Sequence, residues 1–381
     1  MRSKLKIEKQ KTFRLWRQLL SVCCIGCCLL VVVASCSDDD IIDNGNDKEI
    51  RFGLSKQSRA TVTDAGNLDT IGVFGYYTAT ERWIWSANNT PANLKANYFL
   101  NELVTKTGSG DWVYDGPKYW PPDTVNKLSF FAYAPYVETD EFGLLTAADS
   151  ITPYPYAKTQ SGEPYLTYVV PLKARDQVDL IWDSKLDMTK DWAPVIFDMK
   201  HALTRLSFSA IIADSEWMKN YTAKITEISV SGVYGSGDLN LVTGEWTYMG
   251  TNDAEYKLLL DTATPANSDL EDKLFNATQS TDVQSSPSDS KKYDLNKSDA
   301  YLMLLSQTIT DDAMLNITLE ITFTSQPPIS SGLSIPIRAI TPEWLAGQAI
   351  EFKLLIKGEF ISVTTTLIPW IPSTGSGDAI F

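Results

Sequence analysis

An alternation of apolar and polar residues with a period of two restricts the fold of this chain more than any other feature. In residues 315–324, leucine, isoleucine or phenylalanine occupies every second position, and asparagine, threonine or glutamate fills the others. Because successive side chains of a strand point to opposite faces, this pattern predicts a β-strand with one buried face. Shorter runs with the same period occur at 50–54, 128–132, 178–182, 206–210 and 352–356. Turn residues separate these runs, which predicts an all-β chain of sandwich domains.

The first 35 residues have the composition of a signal peptide. Residues 1–18 carry seven basic side chains against one acidic side chain, and residues 19–33 carry no charge. That apolar run is shorter than the roughly 20 residues needed to span a bilayer as a helix, so a cleaved signal is favoured over a membrane anchor. All five cysteines lie within the first 36 residues. We therefore expect the mature chain to be stabilised by its core and not by disulfides.

The sequence Val-Ala-Ser-Cys at 33–36 ends this segment and resembles the lipobox of bacterial lipoproteins. The resemblance implies that Cys36 is the lipidation site, that the chain is cut just before it, and that the lipid anchors the precursor to the outer membrane. Residues 36–48 are acidic and are predicted to form a flexible tether. The three aspartates at 38–40 resemble the acidic signal that directs such lipoproteins to the cell surface, the alternative being a solvated linker.

The charge of the chain excludes several classes of partner. The net charge is −14, and removal of residues 1–35, with seven basic and one acidic side chain, leaves −20. So acidic a surface argues against nucleic acid as a partner and against anionic lipid headgroups.

No catalytic or metal site stands out in the sequence. His201 is the only histidine, and its apolar surroundings favour a structural role, so neither an enzyme nor a metal or other cofactor is predicted. Carboxylates are abundant, and a glycosidase pair is not excluded by counting them. Residues 232–241 contain three glycines but lack the Gly-Lys-Ser/Thr ending of a phosphate loop, so two strands joined by a glycine turn are predicted there.

The length of the mature chain favours two domains. About 330 residues follow the tether, more than one typical domain contains. The predicted divisions are a lipoprotein signal peptide at 1–35, the tether at 36–48, an N-terminal β-sandwich at 49–198 and a C-terminal β-sandwich at 199–381. The boundary is placed near 198–204, where an aromatic-rich half gives way to a new strand.

Several aromatic and glycine-rich stretches follow one another in an order that resembles a known family. They are residues 59–77 (RATVTDAGNLDTIGVFGYY), 112–136 (WVYDGPKYWPPDTVNKLSFFAYAPY), 197–209 (FDMKHALTRLSFS), 229–248 (SVSGVYGSGDLNLVTGEWTY), 304–307 (LLSQ) and 342–356 (PEWLAGQAIEFKLLI). Their succession resembles the fimbrillin family of Bacteroidales, in its Mfa-like branch of type V pilus subunits. The resemblance implies two transthyretin-like Greek-key β-sandwich domains, export as a lipoprotein, and assembly with other fimbrial subunits by β-strand addition.

The resemblance also implies that an arginine-specific protease removes the first strand. Residues 49–55 alternate Ile50, Phe52 and Leu54, as an edge strand on a core would, and a polar segment follows. Arg59 and Ala60 match the position of the cut best. Arg51 is the competing site, but a cut there would divide the predicted strand. Loss of the strand would open a groove for a strand of another subunit.

The donor strand is expected in residues 359–381, with Ile361, Val363 and Trp370 as its candidate apolar residues. Pro369 and Pro372 interrupt that segment, and proline removes a ladder hydrogen bond, so a tip or accessory subunit is one expectation. An alternative interpretation is a monomeric outer-membrane surface lipoprotein whose aromatic side chains bind a glycan or a host protein.

Overall fold

A computed structural model describes the chain from Lys48 to Trp370 with gaps. The described residues are 48–55, 68–83, 94–139, 150–212, 221–259, 276–277, 292–294, 301–323, 326–357, 360–368 and 370. Apart from strands and loops, they include short 3-10 helices at Ala174–Asp176, Lys190–Trp192 and Ile337–Ala339. Within these ranges, no helix has the length and apolar character that crossing a membrane requires.

The first half of the described chain forms ten strands. They are β1 (Phe52–Leu54), β2 (Thr70–Ala79), β3 (Phe99–Lys106), β4 (Trp112–Val113), β5 (Lys127–Ala134), β6 (Ile151–Tyr154), β7 (Tyr165–Val169), β8 (Ile181–Met188), β9 (Val195–Phe197) and β10 (Lys200–His201). Eight of them make one sheet in the order β10-β8-β5-β2-β3-β4-β1-β9. Between β9 and β10, the Asp198 N–H donates to the Asp183 carboxylate of β8 at 2.7 Å. This bond links the two ends of the sheet, so the sheet curls around its own core.

The core enclosed by this sheet is apolar and rich in phenylalanine. Its buried members are Ile50, Phe52, Ile71, Val73, Phe99, Val104, Trp120, Leu128, Phe130, Ala132, Ala134, Ile181, Val195, Phe197 and Met199. β2 and β5 bury their other faces as well, since Phe74 and Phe131 belong to a second, larger core. A strand buried on both faces reads as a continuous apolar run. This explains why residues 128–134 show only a weak alternation.

The second half of the described chain forms fourteen strands. They are β11 (Leu203–Ile212), β12 (Tyr221–Val233), β13 (Ser236–Asn240), β14 (Trp246–Tyr248), β15 (Ala254–Leu259), β16 (Asn276–Ala277), β17 (Lys292–Asp294), β18 (Leu302–Leu305), β19 (Gln307–Thr308), β20 (Met314–Phe323), β21 (Ile329–Pro336), β22 (Glu343–Trp344), β23 (Ala349–Lys357) and β24 (Phe360–Ile368). One sheet runs β17-β11-β23-β24, with β18 also on β11, and another runs β15-β12-β20-β21, with β16 also on β12. β19 and β22 form a separate two-stranded pair.

The strand predicted most strongly from the sequence is present as β20. Leu315, Ile317 and Leu319 are buried in the larger core, as the period of two requires. The prediction of an all-β fold built from packed sheets is therefore confirmed.

The two halves of the chain also share structure. The eight-stranded sheet is complete at His201 and the next sheet starts at Leu203, within the interval predicted for the boundary. However, a four-stranded sheet in the order β14-β13-β7-β6 takes strands from both halves, and the larger core includes Phe131 as well as Phe352. The division into two domains stays a prediction.

The glycine-rich segment at 232–241 contains a turn between two strands, as predicted. It joins β12 to β13, and Gly232 is the residue at which the pairing of β12 with β15 shifts. Its φ of +74° lies in the left-handed region, and a Cβ placed on it would lie 2.1 Å from the Asp312 carbonyl oxygen. Only glycine fits this bulge without moving the backbone.

The substitution Gly232→Ala should therefore lower the free energy of unfolding strongly. The left-handed conformation alone costs alanine about 1–2 kcal/mol, and displacing the Asp312 backbone should raise the total to roughly 3 kcal/mol or more. Gly250 has a similar φ of +73° but open space around it, so Gly250→Ala should show the conformational cost alone. Denaturant unfolding of both variants measures the difference, and equal losses would contradict the steric explanation.

Candidate functional site at the first strand

β1 lies inside the eight-stranded sheet and not at its edge, which corrects the expectation of an edge strand. It pairs antiparallel with β4 through Phe52 and Trp112, and it pairs parallel with β9 along its whole length. The two neighbours therefore hold β1 from both sides. The predicted alternation is present, since Ile50 and Phe52 are buried and Leu54 is half-buried against the same core.

Phe52 is the centre of an aromatic cluster. Its ring lies 5.3 Å from that of Phe99, 5.6 Å from those of Tyr114 and Phe130, and 5.8 Å from that of Phe197, measured between centroids. The pairs with Phe99 and Phe130 are edge-to-face, an arrangement that aromatic rings favour. These four rings come from β3, β5, β9 and the loop after β4, so the first strand joins distant parts of the sheet.

Hydrogen bonds extend the attachment of β1 beyond its three residues. The Ile50 N–H donates to the Lys118 carbonyl at 2.8 Å, and the Val195 N–H donates to the Arg51 carbonyl at 2.9 Å. The Tyr114 hydroxyl donates to the Ile50 carbonyl at 2.8 Å. Without β1, these groups and the aromatic cluster would form an apolar groove with unpaired backbone groups on both walls.

The residues proposed for processing and anchoring fall outside the described part of the chain. These are Cys36, Arg59 and Ala60. Arg51 is described, and its exposed guanidinium lies 3.3 Å from the Glu49 carboxylate. A cut after Arg51 would leave all of β1 attached to the rest of the chain, because β1 starts at Phe52.

The C-terminal strand β24 is the last strand of its sheet. It pairs antiparallel with β23 over its whole length, from Phe360 opposite Lys357 to Ile368 opposite Ala349. Ile361 lies within this strand and Val363 packs partly against the larger core. Leu367 is 65% exposed. The strand ends before Pro369, so neither proline interrupts it, and β24 is a continuous extended segment.

Trp370 packs against the only histidine. Its ring stacks on His201 with the centroids 4.0 Å apart, and it lies 5.3 Å from the Arg205 guanidinium carbon. His201 is buried, and its Nδ1 lies 2.8 Å from an Asp179 carboxylate oxygen. A buried histidine held between a carboxylate and a tryptophan has a structural position, in agreement with the sequence interpretation.

A shallow cleft lies between the hairpin of β13 and β14 and the β19-β22 pair. It has a volume of about 380 Å³, and Trp246, Tyr248, Glu245 and Glu343 are among its lining residues. The Trp246 Nε1–H donates to the Ala202 carbonyl at 3.0 Å. The ring is therefore fixed in place, as a stacking surface for a sugar would need to be.

Sequence reasoning missed the side chains that receive the first strand. Phe99, Tyr114, Phe130 and Phe197 were not singled out, although aromatic clusters were visible around residues 112–136 and 191–198. Their convergence depends on strand order, which the local pattern does not contain.

The profile of a family described as fimbrillin-like matches residues 58–370. The chain belongs to the fimbrillin-like family. The match begins after β1 and ends at Trp370, and the resemblance seen in the sequence motifs is confirmed.

A curated protein and a solved structure are similar to this fimbrillin-like chain. Fimbrium subunit Fim1C of Phocaeicola vulgatus is 31% identical over 161 residues, which are 40% of this chain and 40% of that relative. The match thus spans less than half of the length of that relative. A crystal structure of a fimbrial protein from Bacteroides vulgatus superposes with a TM-score of 0.63 at 21% identity, covering 86% of this chain and 100% of the other. At that identity, the likeness shows a shared fold.

Truncation of the first strand's central side chain should destabilise the fimbrillin-like chain strongly. Phe52→Ala removes a ring that packs against four others, and we expect a loss of about 3–5 kcal/mol in the free energy of unfolding. Leu54→Ala lies in the same strand but is half-buried, and should cost only about 1–2 kcal/mol. Chemical denaturation measures both. Similar small losses would mean that β1 does not hold the core together.

The hydroxyl that binds the first strand should make stability depend on alkaline pH. Burial raises the pKa of Tyr114 above its ordinary value of 10.0, the Lys118 N–H opposes this shift, and Glu49 and Glu102 add to it. A tyrosine whose pKa is raised by folding stabilises the fold below about pH 10, and this contribution is lost as the pH rises through the folded pKa. Tyr114→Phe should therefore flatten the alkaline decline measured by denaturant unfolding. Tyr119→Phe, which removes the hydroxyl of an exposed ring, is the control variant measured in parallel.

Proposed function

We propose that this chain is a fimbrial subunit, exported as a surface lipoprotein and joined to other subunits by protease-triggered exchange of β-strands. The observation that carries the proposal is the position of β1. A strand of three residues supplies the central ring of a core and has a partner strand on each side. A segment so short and so deeply seated can be replaced by an equivalent strand of another chain, which is the requirement for β-strand addition.

Proteolysis provides the trigger because the covalent link keeps β1 in place. Full burial of one phenylalanine contributes roughly 1.5–3 kcal/mol. While β1 remains part of the chain, its effective concentration at the groove is on the order of millimolar or higher. A cut at Arg59 would turn β1 into a separate peptide that dissociates and is diluted. A longer incoming strand would then bind more tightly than the short peptide.

β24 is the best candidate for the incoming strand. It forms nine consecutive residue pairs with β23, carries no charged side chain, and has no second partner strand among the described residues. Its described side chains are all exposed or half-buried, so each of them loses less burial on release than Phe52 would. Ile361, Val363 and Leu367 alternate in the way that an apolar groove would accept.

Residues 1–48 supply the route to the cell surface in this proposal. Cys36 carries the lipid that anchors the precursor to the outer membrane, and the acidic residues 38–40 direct it to the outer face. A cut at Arg59 by an arginine-specific protease then removes the anchor together with β1. The lipobox, the apolar segment and the acidic run in the sequence support this route.

The proposal leaves two positions for this subunit within the fimbrium, a repeated one and a terminal one. The prolines at 369 and 372 suggested a tip or accessory subunit that accepts a strand and donates poorly. Because β24 ends before both prolines, it has the continuity of a donor. Either a repeated or a terminal position is therefore compatible with the strand, and the family membership supports a structural and adhesive role over an enzymatic one.

A second candidate function is a monomeric surface lipoprotein that binds a glycan or a host protein. The cleft lined by Trp246 and Tyr248 favours it, because a fixed aromatic face beside the carboxylates of Glu245 and Glu343 can stack on a sugar and accept its hydroxyl hydrogens. In this alternative the chain stays attached through Cys36 and does not polymerise.

Blocking the proposed cut should abolish assembly. In cells that display the chain, Arg59→Ala should leave the precursor uncut and monomeric, whereas the unaltered chain should form polymer whose first residue is Ala60. Arg51→Ala changes the competing site and should assemble normally. Size separation and N-terminal sequencing of sheared surface material give both results. Polymer beginning at Cys36 or at Phe52 would contradict the proposed cut.

Removal of residues 359–381 tests the donor. The truncated chain should fold and reach the surface but should not extend a polymer. A chain lacking only residues 371–381 keeps β24 and Trp370 and should polymerise. If sheared surface material of the unaltered chain runs only as a monomer, whatever the protease treatment, the glycan- or host-binding alternative replaces the fimbrial proposal.

A further inference from the structure

β21 is an edge strand whose second side has no partner among the described residues. It pairs with β20 over its full length, and it ends the path β15-β12-β20-β21. Seven of its eight residues are exposed, and Ile335 is the half-buried exception. Ile329 and Leu333 are 52% and 37% exposed. Natural proteins usually protect such an edge, because its free backbone groups can pair with another strand.

The two edges of this sheet differ in charge. β15 at one edge carries Glu255 and Lys257, and Lys257 lies 3.5 Å from a Glu227 carboxylate oxygen and from one of Glu255. Charged side chains on an edge strand oppose pairing with another chain. At the other edge, residues 326–337 contain no ionisable side chain in a chain of net charge −14. β21 is therefore a place where two acidic copies can approach with little repulsion.

The pairing of β21 with β20 determines which backbone N–H and C=O groups of β21 point away from β20. The Ile337 N–H donates to the Ala313 carbonyl at 2.9 Å, next to the pair of Pro336 and Met314. Since alternate residues of an antiparallel strand bond to opposite sides, Ser330, Gly332 and Ser334 direct their backbone groups away from β20. Pro328 and Pro336 bound this stretch and limit any added strand to the residues between them.

We propose that β21 pairs antiparallel with β21 of a second copy of this chain, about a two-fold axis at Gly332. In that register Ser330 faces Ser334 of the partner subunit, Gly332 faces its own equivalent, and Ser334 faces Ser330 of the partner subunit. Each outward N–H then donates to an outward carbonyl across the axis. The four-stranded paths of the two copies form one continuous sheet.

Side-chain contacts fit this register. Ile329, Leu333 and Ile335 lie at alternate positions and share the face that Ile335 packs against the core. Pairing would place Ile329 opposite Ile335 of the partner subunit and would cover apolar surface that is now exposed. At the axis, a Cβ added to Gly332 would meet nothing within 4 Å, and the absence of side chains there lets the two backbones approach freely.

This surface is independent of the strand-exchange groove. Two-fold pairing closes after two copies, whereas strand exchange from one subunit to the next continues without closing. β1, β21 and β24 belong to three different sheets. A pair of chains joined at β21 therefore keeps both the groove and the donor, and would link two fimbrial subunits or two precursors side by side.

The test uses opposite charges at the axis. All chains are full length, kept in mild non-ionic detergent because residues 19–33 are apolar, and carry Arg59→Ala so that strand exchange does not contribute. Sedimentation equilibrium of this parent should show a monomer–dimer equilibrium. Gly332→Lys should weaken dimerisation roughly three- to tenfold because like charges face each other across the axis. Gly332→Glu should do the same, and an equimolar mixture of the two should restore or exceed the affinity of the parent.

Two further variants make the result decisive. Gly332→Pro removes the outward N–H at the axis and should weaken dimerisation at least as much, while the ladder with β20 is kept. Gly108→Lys places the same charge at an exposed glycine with equally open space and should leave dimerisation unchanged. A parent that stays monomeric up to about 0.5 mM would overturn the proposal, because its association free energy would then be weaker than roughly 4–5 kcal/mol. Association that survives Gly332→Lys, or that is not restored by the mixture, would also overturn it. None of these outcomes depends on whether cut subunits polymerise.

Discussion

The fold of the first half of the chain depends on the burial of one side chain near its beginning. Phe52 fills the space between rings from β3, β5, β9 and the loop after β4, so the eight-stranded sheet closes around a residue of a three-residue strand. A core with one ring removed retains a cavity that costs several kcal/mol. A strand that replaces β1 must therefore place a comparable apolar side chain at the position of Phe52. In the proposed strand addition, this requirement would set the register as well as the affinity.

β2 and β5 are buried on both faces, so they connect the groove occupied by β1 to the larger core. One face of each strand lines the core around Phe52, and the other face, with Tyr76 and Tyr133, belongs to the larger core. Close packing transmits volume changes, because interiors have few voids. The central strands are therefore packed on both faces. In the proposed exchange, their packing on the larger core would keep them in place while the groove has no strand.

Much of the fold was predictable where one local pattern decides it. The alternation in β20 predicted a half-buried strand, and the glycines around Gly232 predicted a turn, because side-chain period and backbone sterics are properties of short segments. The candidate site was only partly predictable. Ile50 and Phe52 were identified by their period, but the partners of β1 on both sides, and the stacking of Trp370 on His201, arise from strand order between segments far apart in sequence. No local periodicity encodes such pairings.

The edge strands of the sheets differ in whether they carry charged side chains. β15 has Glu255 and Lys257 and is protected against pairing, whereas β21 and β24 have no charged residue within a chain that is strongly acidic. Repulsion between exposed charges opposes the close approach of two acidic subunits except where neutral edges meet, since at physiological salt such charges are screened beyond about 8–10 Å but not within that distance. The uncharged edges are thus the positions at which we propose that this chain joins others. In that proposal, a strand donated by β24 would extend a polymer, whereas pairing of β21 about a two-fold axis at Gly332 would close a pair.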